Sequence, residues 1–161
     1  MSEFKKQMAD KPTFSGLAEK FLKGEIKENI CDLIDFCKEL RHNPKWYATN
    51  SFNIKYKNKI IFRFHVFEDN RTHLYFTVAN KGDLDGVLYG LEKDMQTFYF
   101  DNLRRCSHCN PTHGDGKRVT ILSNDYWVCA EAEMFFENPT KEQIEYIKKF
   151  IYIRKENINK A

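Results

Sequence analysis

Apolar residues recur along the chain with two different periods, and the change of period predicts where helices give way to strands. A short helical stripe begins at Leu17, and a longer one covers residues 26–40 before Pro44 ends it. The longer stripe contains these apolar positions: Ile26, Ile30, Leu33, Ile34, Cys37 and Leu40. Because this spacing puts them on one side of a helix, we predict a helix with one buried face.

From residue 51 the apolar period changes to two, which is the spacing of strands that bury one face. Residues 51–56, 62–67 and 73–78 each alternate between apolar and polar side chains. Lys57-Asn58 predicts a hairpin turn after the first run, and the sequence EDNR at 68–71 predicts a turn before the third. Together these runs predict a three-stranded antiparallel meander.

Two further strands and two further helices follow the meander. VTIL at 119–122 and YWVCAEAEMFFE at 126–137 are predicted strands, joined by a turn at 123–125. Residues 83–103 return to helical spacing, and a last helix is expected to begin at 138–140, where Thr140 has capping-box spacing with a glutamine.

The predicted order is helix, three strands, helix, two strands, helix. This order is typical of an α+β fold, here a single domain with an antiparallel sheet of about five strands and helices packed on one face. Residues 1–13 are polar and are expected to form a flexible N-terminal tail, so the domain would span 14–161. On the helix over 83–103, Gly86 and Gly90 are expected to permit a close approach to the sheet.

The alternation also assigns side chains to the two faces of the predicted sheet. The face toward the helices would carry apolar residues, namely Phe52, Phe62, Phe64, Leu74, Phe76, Val128 and Met134. The opposite face would carry polar and aromatic residues, namely Asn53, Arg63, His65, His73, Tyr75, Trp127, Cys129, Glu131 and Glu133.

Composition narrows the class of protein. The chain has 161 residues, 42% of them hydrophobic and 30% charged, which is enough apolar content for a globular core without disulfides. No apolar stretch has the length of a membrane span or follows the early lysines as a secretory signal would. We therefore expect a cytoplasmic location, where an odd count of five cysteines argues against a disulfide framework. Cys37 on the helical stripe and Cys31 beside it are expected to be small core residues.

The densest group of metal-ligand side chains lies in CSHCNPTHGDGKRVTILSNDYWVC, residues 106–129. Cys106 and Cys109 have the CxxC spacing that places two thiolates on one zinc ion, with Cys129 as a third ligand and His113 or His108 as the fourth. Unliganded thiols are the alternative, because a zinc ribbon would show a second such pair. Thiol redox chemistry fits less well, because the pair follows a predicted helix instead of beginning one.

Several features in combination resemble small uncharacterised bacterial domains of unknown function. They are the PKWY segment at 44–47 before an alternating hairpin, the CxxC loop with its glycines, the later Cys129, and the terminal helix introduced by Asn138-Pro139. The resemblance covers residues 44–155. It implies one compact domain and supplies no catalytic residue.

The polar sheet face is the best candidate for function, because it holds more aromatic and titratable residues than solvation requires. We expect a non-catalytic ligand-binding or regulatory domain, in which this face and the cysteine loop line a site for a small molecule or a partner protein. If a second copy of the chain buries the face, a homodimer explains the same residues. Its candidate ligand-binding residues are Arg63, His65, His73, Tyr75, Trp127 and Glu131. An enzyme that uses His65, His73 and Glu131 for acid or base chemistry is the alternative.

Nucleic acid binding is a third hypothesis. It would use stacking on Tyr75 and Trp127 beside a basic margin formed by Lys55, Lys57, Lys59, Arg63, Arg104, Arg105, Lys117 and Arg118. The net charge of only +3, with Glu131 and Glu133 on the same face, makes this the least favoured reading.

Overall fold

The computed structural model describes residues 2–80, 82–104, 117–128 and 132–160. The helices of these segments are α1 Glu3–Ala9, α2 Phe14–Phe21, α3 Gly24–Glu39, α4 Leu84–Tyr89, α5 Lys93–Asp101 and α6 Lys141–Lys160. The strands are β1 Lys45–Ala48, β2 Ser51–Tyr56, β3 Lys59–Val66, β4 Thr72–Phe76, β5 Lys117–Ile121, β6 Asn124–Val128 and β7 Met134–Glu137. None of the helices in these segments is long and apolar enough to cross a lipid bilayer.

Five strands form one antiparallel sheet in the order β1-β2-β3-β4-β7, and β5 and β6 form a separate hairpin. The segment 102–104 lies beside β7, because the Arg104 amide donates to the Glu133 carbonyl and the Phe135 amide donates to the Asn102 carbonyl, both at 2.9 Å. The predicted fold class, α+β with helices packed against an antiparallel sheet, is confirmed.

The apolar face of the sheet forms the core with the helices. Six of the seven residues predicted for this face lie on the sheet and are at most 1% exposed: Phe52, Phe62, Phe64, Leu74, Phe76 and Met134. Phe14 of α2 packs edge-on against Phe52 and Phe64, and Phe150 of α6 contacts Phe76. Burying each phenylalanine stabilises the fold by about 1.5–3 kcal/mol, so this face supplies much of the driving force for folding.

The seventh predicted core residue, Val128, is buried but lies in the hairpin. The prediction of one strand over residues 126–137 is therefore wrong, because β6 and β7 belong to different sheets. The alternation of side chains is the same in both sheets, and it does not specify which strand a segment pairs with. The hairpin packs instead against α5, where Tyr126 stacks on Phe100 with ring centroids 5.4 Å apart.

The prediction of a single helix over residues 83–103 is also wrong, because α4 ends at Tyr89 with Gly90 as its C-cap and α5 begins after an extended Glu92. At this interruption the side-chain amide of Gln96 donates to the backbone carbonyls of Leu88 at 3.0 Å and Leu91 at 3.1 Å. A Cβ atom at Gly86 would meet nothing within 4 Å, so this glycine does not permit a close approach to the sheet.

The N-terminal segment, which its polar sequence predicts to be a flexible tail, contains helix α1 and contacts the sheet. Ser2 caps α1, and the side chain of Gln7 is buried at 8% exposure. The side-chain oxygen of Gln7, Oε1, accepts hydrogen bonds from the backbone amide of Asn50 at 2.8 Å and from the indole Nε1 of Trp46 at 3.2 Å. These long-range bonds hold α1 on β1, a strand that the sequence pattern also did not predict.

Candidate functional site

The register of the sheet brings four of the predicted ligand-binding residues together in two rows. His65 of β3 is opposite His73 of β4, which is opposite Glu137 of β7. The neighbouring row comprises Arg63, Tyr75 and Phe135. Because residues two apart in a strand share a face, both rows lie on the side of the sheet away from the apolar core, which we call the outer face.

Aromatic and imidazole rings on the outer face form an unbroken series. The ring centroids are 4.2 Å apart for His65 and Phe67, 4.6 Å for Phe67 and His73, 5.0 Å for His73 and Phe135, and 5.2 Å for Phe135 and Tyr75. These separations are those of favourable ring pairs. We call these five residues the ring row.

Two arginines enclose one end of the ring row through a shared carboxylate. Glu133 accepts hydrogen bonds from Arg63 Nη2 at 2.9 Å and from Arg104 Nη1 at 2.8 Å. The Glu133 side chain is 5% exposed, whereas those of Arg63 and Arg104 are 41% and 39% exposed. Both guanidinium groups lie over the Tyr75 ring, 5.6 Å and 5.0 Å from its centroid. This arrangement fixes two donors and two positive charges beside an aromatic surface.

His65 is held at the other end of the ring row by Ser51. Its Nδ1 lies 2.6 Å from Ser51 Oγ, and the same hydroxyl donates to the Thr49 carbonyl at 3.0 Å. A hydroxyl has one proton, so when it donates to Thr49 it accepts from His65 Nδ1–H. This tautomer leaves the lone pair on Nε2. Burial, with a smaller contribution from His73, lowers the pKa of His65 below its ordinary value of 6.5.

His73 contacts a carboxylate that the sequence did not single out. Its Nε2 is 2.9 Å from Glu137 Oε2, and Arg71 Nη1 lies 4.0 Å from the same oxygen. Half of the Glu137 side chain is exposed, so this pair forms the solvent-facing rim of the outer face. The strand alternation would have indicated Glu137, because it is two residues beyond Phe135.

The structure brings together four of the six predicted ligand-binding residues, Arg63, His65, His73 and Tyr75. The fifth, Trp127, does not join them, because it lies on β6 opposite Arg118 in the separate hairpin. The sixth, Glu131, lies outside the described residues. Phe67 was missing from the predicted set although it continues the alternation of β3.

The predicted zinc ligands Cys106, Cys109, His113 and Cys129 also lie outside the described residues, as does the alternative ligand His108. Within the described part of the chain, no group of three or more histidine, cysteine or acidic residues is placed to hold a metal ion.

Two cysteines of α3 are described, and they behave as core residues. Burial raises the pKa of the Cys37 thiol to about 12 and raises that of Cys31 as well. Both are therefore protonated at neutral pH and poorly suited to redox chemistry or to metal binding.

Comparison of the chain with family models, with curated proteins and with solved structures finds no match.

Proposed function

We propose that this chain is a non-catalytic ligand-binding domain, and that its ligand is a small molecule whose planar group lies against the ring row. The observation that carries the proposal is the unbroken series of contacts among the five rings. The series ends at Tyr75, and the guanidinium groups of Arg63 and Arg104 lie over the Tyr75 ring. Aromatic surfaces with a few fixed polar groups are typical of small-molecule sites. Ring faces would supply contact area, and the arginines would orient a polar substituent.

The hydrogen-bond network favours binding over catalysis by the same residues. Ser51 donates its proton to a backbone carbonyl, so it is not poised to give that proton to His65 as a nucleophile would. His73 is paired with a half-exposed carboxylate, which is common for cross-strand pairs that face water. These contacts hold the imidazoles in position as parts of a surface.

Saturation-transfer difference NMR with a library of planar aromatic acids and amines tests this proposal. We expect several compounds to bind the wild-type protein and to lose binding in Tyr75→Ala. Tyr89→Ala is the matched control, because Tyr89 is 81% exposed on α4 and should leave binding unchanged. If no compound distinguishes the two variants, the proposal fails. A dimer in light scattering that dissociates in Tyr75→Ala would instead make the outer face a subunit interface.

We also propose a structural zinc ion bound by Cys106, Cys109, Cys129 and His113. Support comes from the CxxC spacing and from the register of the hairpin, in which Val128, next to Cys129 in sequence, pairs with Lys117, eight residues after Cys109. Native mass spectrometry of reduced protein should find one zinc ion per chain. Cys106→Ser should lose it, and Cys31→Ser should retain it. Protein purified under reducing conditions without stoichiometric metal would contradict the proposal.

A further inference from the structure

A cavity of about 480 Å³ opens beside Arg63, where β3 begins and β4 ends. It is lined by Asn58, Lys59, Ile60, Arg63, Thr77, Glu133 and Arg154. A volume of this size is within the range of small-molecule sites. Arg63 therefore belongs both to the outer face and to this cavity.

Like Glu133, which is 4% exposed, Arg154 is a charged residue of the lining that is almost fully buried, at 5% exposure. It lies on α6, seven residues after the core residue Ile147, and so on the stripe that helix buries. Its Nη1 donates to the amide oxygens of Asn80 at 3.1 Å and Asn157 at 3.3 Å. These two bonds help to fix the guanidinium as part of the cavity wall.

Positive charge predominates among the described residues of the lining. Of these residues, Lys59, Arg63 and Arg154 are cationic and Glu133 is the one carboxylate. Arg104, which is not part of the lining, also binds Glu133 and offsets part of its charge. The described lining residues therefore carry two more positive charges than negative ones.

The donors in the lining match the acceptors of a phosphoryl group. A phosphate monoester carries a charge of about −1.5 to −2 at neutral pH and has three acceptor oxygens. Guanidinium groups bind such oxygens in a forked geometry, lysine adds a point charge, and the Thr77 hydroxyl adds a neutral donor. A carboxylate has one negative charge and two oxygens, and would leave part of this set unsatisfied.

We propose that the cavity binds the phosphoryl group of a small-molecule ligand through Lys59, Arg63, Arg154 and Thr77. The inference deepens and rests on the proposed function, because it names the charged group carried by the molecule on the outer face. Arg63 contacts both surfaces, so a ligand with a phosphoryl group in the cavity can place a planar ring against Tyr75.

Titration of inorganic phosphate into isotope-labelled protein, followed by amide NMR shifts, tests the cavity. We expect saturable shifts at Lys59, Ile60 and Thr77. Arg63→Gln removes a charge-assisted hydrogen bond and should weaken binding by about tenfold or more. Lys59→Gln changes an exposed residue that the fold does not need, and it should weaken binding by about threefold or more. The matched control is Lys55→Gln, which removes the same charge from β2 outside the lining and should bind as the wild type does.

Equal phosphate affinity in Lys59→Gln and Lys55→Gln, or binding weaker than about 1 mM in the wild type, would overturn the inference. Neither result bears on the outer face. The test of the outer face is whether Tyr75→Ala loses the binding of aromatic compounds. Conversely, if Tyr75→Ala binds those compounds normally while phosphate binding still depends on Lys59, the outer-face proposal fails and the cavity remains.

The source of the phosphoryl group is distinguished by two further ligands. Adenosine monophosphate should bind more tightly than ribose phosphate, and Tyr75→Ala should abolish the difference, because only the nucleotide has a planar ring. A single-stranded oligonucleotide without a terminal phosphate that binds more tightly than either would overturn the assignment to a small molecule. In that case the basic groups would be contacts for a nucleic-acid backbone.

Discussion

The two faces of the five-stranded sheet are built from the same strands but differ in burial and in the contacts that their side chains make. On the inner face, Phe62 and Phe64 are at most 1% exposed and contact each other within the core. On the outer face, Arg63 and His65 alternate with them, remain partly exposed and bind specific polar partners. The inner face therefore supplies stability through volume and burial. The outer face supplies fixed donors, acceptors and rings, which is what recognition of a ligand requires.

The largest contrast between the faces should appear when one ring is removed from each. Phe64 contacts Phe14, Phe52 and Phe62 in the core, so Phe64→Ala should lower the free energy of unfolding by about 3–5 kcal/mol. Tyr75→Ala should lower it by only about 1 kcal/mol, because the site can fill with water. Urea denaturation measures both values. Equal losses would mean that the outer face is a second core and not a ligand surface.

Removing a buried charge from the outer face should have an intermediate effect. In Glu133→Gln the two arginines lose their shared carboxylate, and the free energy of unfolding should fall by about 1–2 kcal/mol. The loss is not larger because both guanidinium groups are about 40% exposed and water can solvate them.

Glu137→Gln is the matched control for that experiment, since it changes the same functional group at the rim. Glu137 is half-exposed, so its loss should change stability by at most about 0.5 kcal/mol. Urea midpoints of the two variants give the comparison. If Glu137→Gln is as destabilising as Glu133→Gln, burial of the carboxylate is not what distinguishes the two positions.

How far the sequence predicts each face of the sheet depends on whether the contacts are between residues close together or far apart along the chain. The period of two placed Arg63, His65, His73 and Tyr75 on one face correctly, because side-chain direction in a strand is a local property. The same pattern could not predict that Trp127 leaves this sheet, since strand pairing is a long-range property. Nor could it predict Arg104 beside Glu133, which depends on segment 102–104 lying along β7.

Two buried polar residues, Arg154 and Gln7, differ in whether the sequence pattern could have revealed their burial. Arg154 follows Ile147 and Ile151 on the buried stripe of α6, so a charged residue at a core position was visible in the helical period. A buried arginine requires polar partners, and this indicates a polar site even before its partners are known. Gln7 gave no such signal, because α1 is too short and polar for a clear stripe and its anchoring depends on distant Asn50 and Trp46.

The smallest expected effect concerns the charge of one imidazole on the outer face. Burial lowers the pKa of His65, so the unfolded chain binds this proton more readily than the folded one. The contribution of His65 to stability is therefore complete above its ordinary pKa of 6.5 and declines as the pH falls below that value. His65→Asn keeps a donor for Ser51 but cannot titrate, so the loss of stability on acidification should be smaller in this variant. Burial also lowers the pKa of His42, which should preserve part of the decline.

Carbon-detected NMR titration of the imidazole rings measures the pKa of His65 on the outer face directly. The His65 midpoint should lie below 6.5 in the folded protein, and His73→Asn should raise it, because a protonated His73 opposes a second charge beside it. His73→Asn should leave the His42 midpoint unchanged, since the pKa of His42 is lowered by burial and by Lys155 instead. A His65 midpoint at or above 6.5 would mean that water reaches the imidazole freely. The ring row would then be fully solvated and would lack the partly buried surface on which a planar ligand depends. The outer face would be an ordinary solvated sheet face and not a binding face.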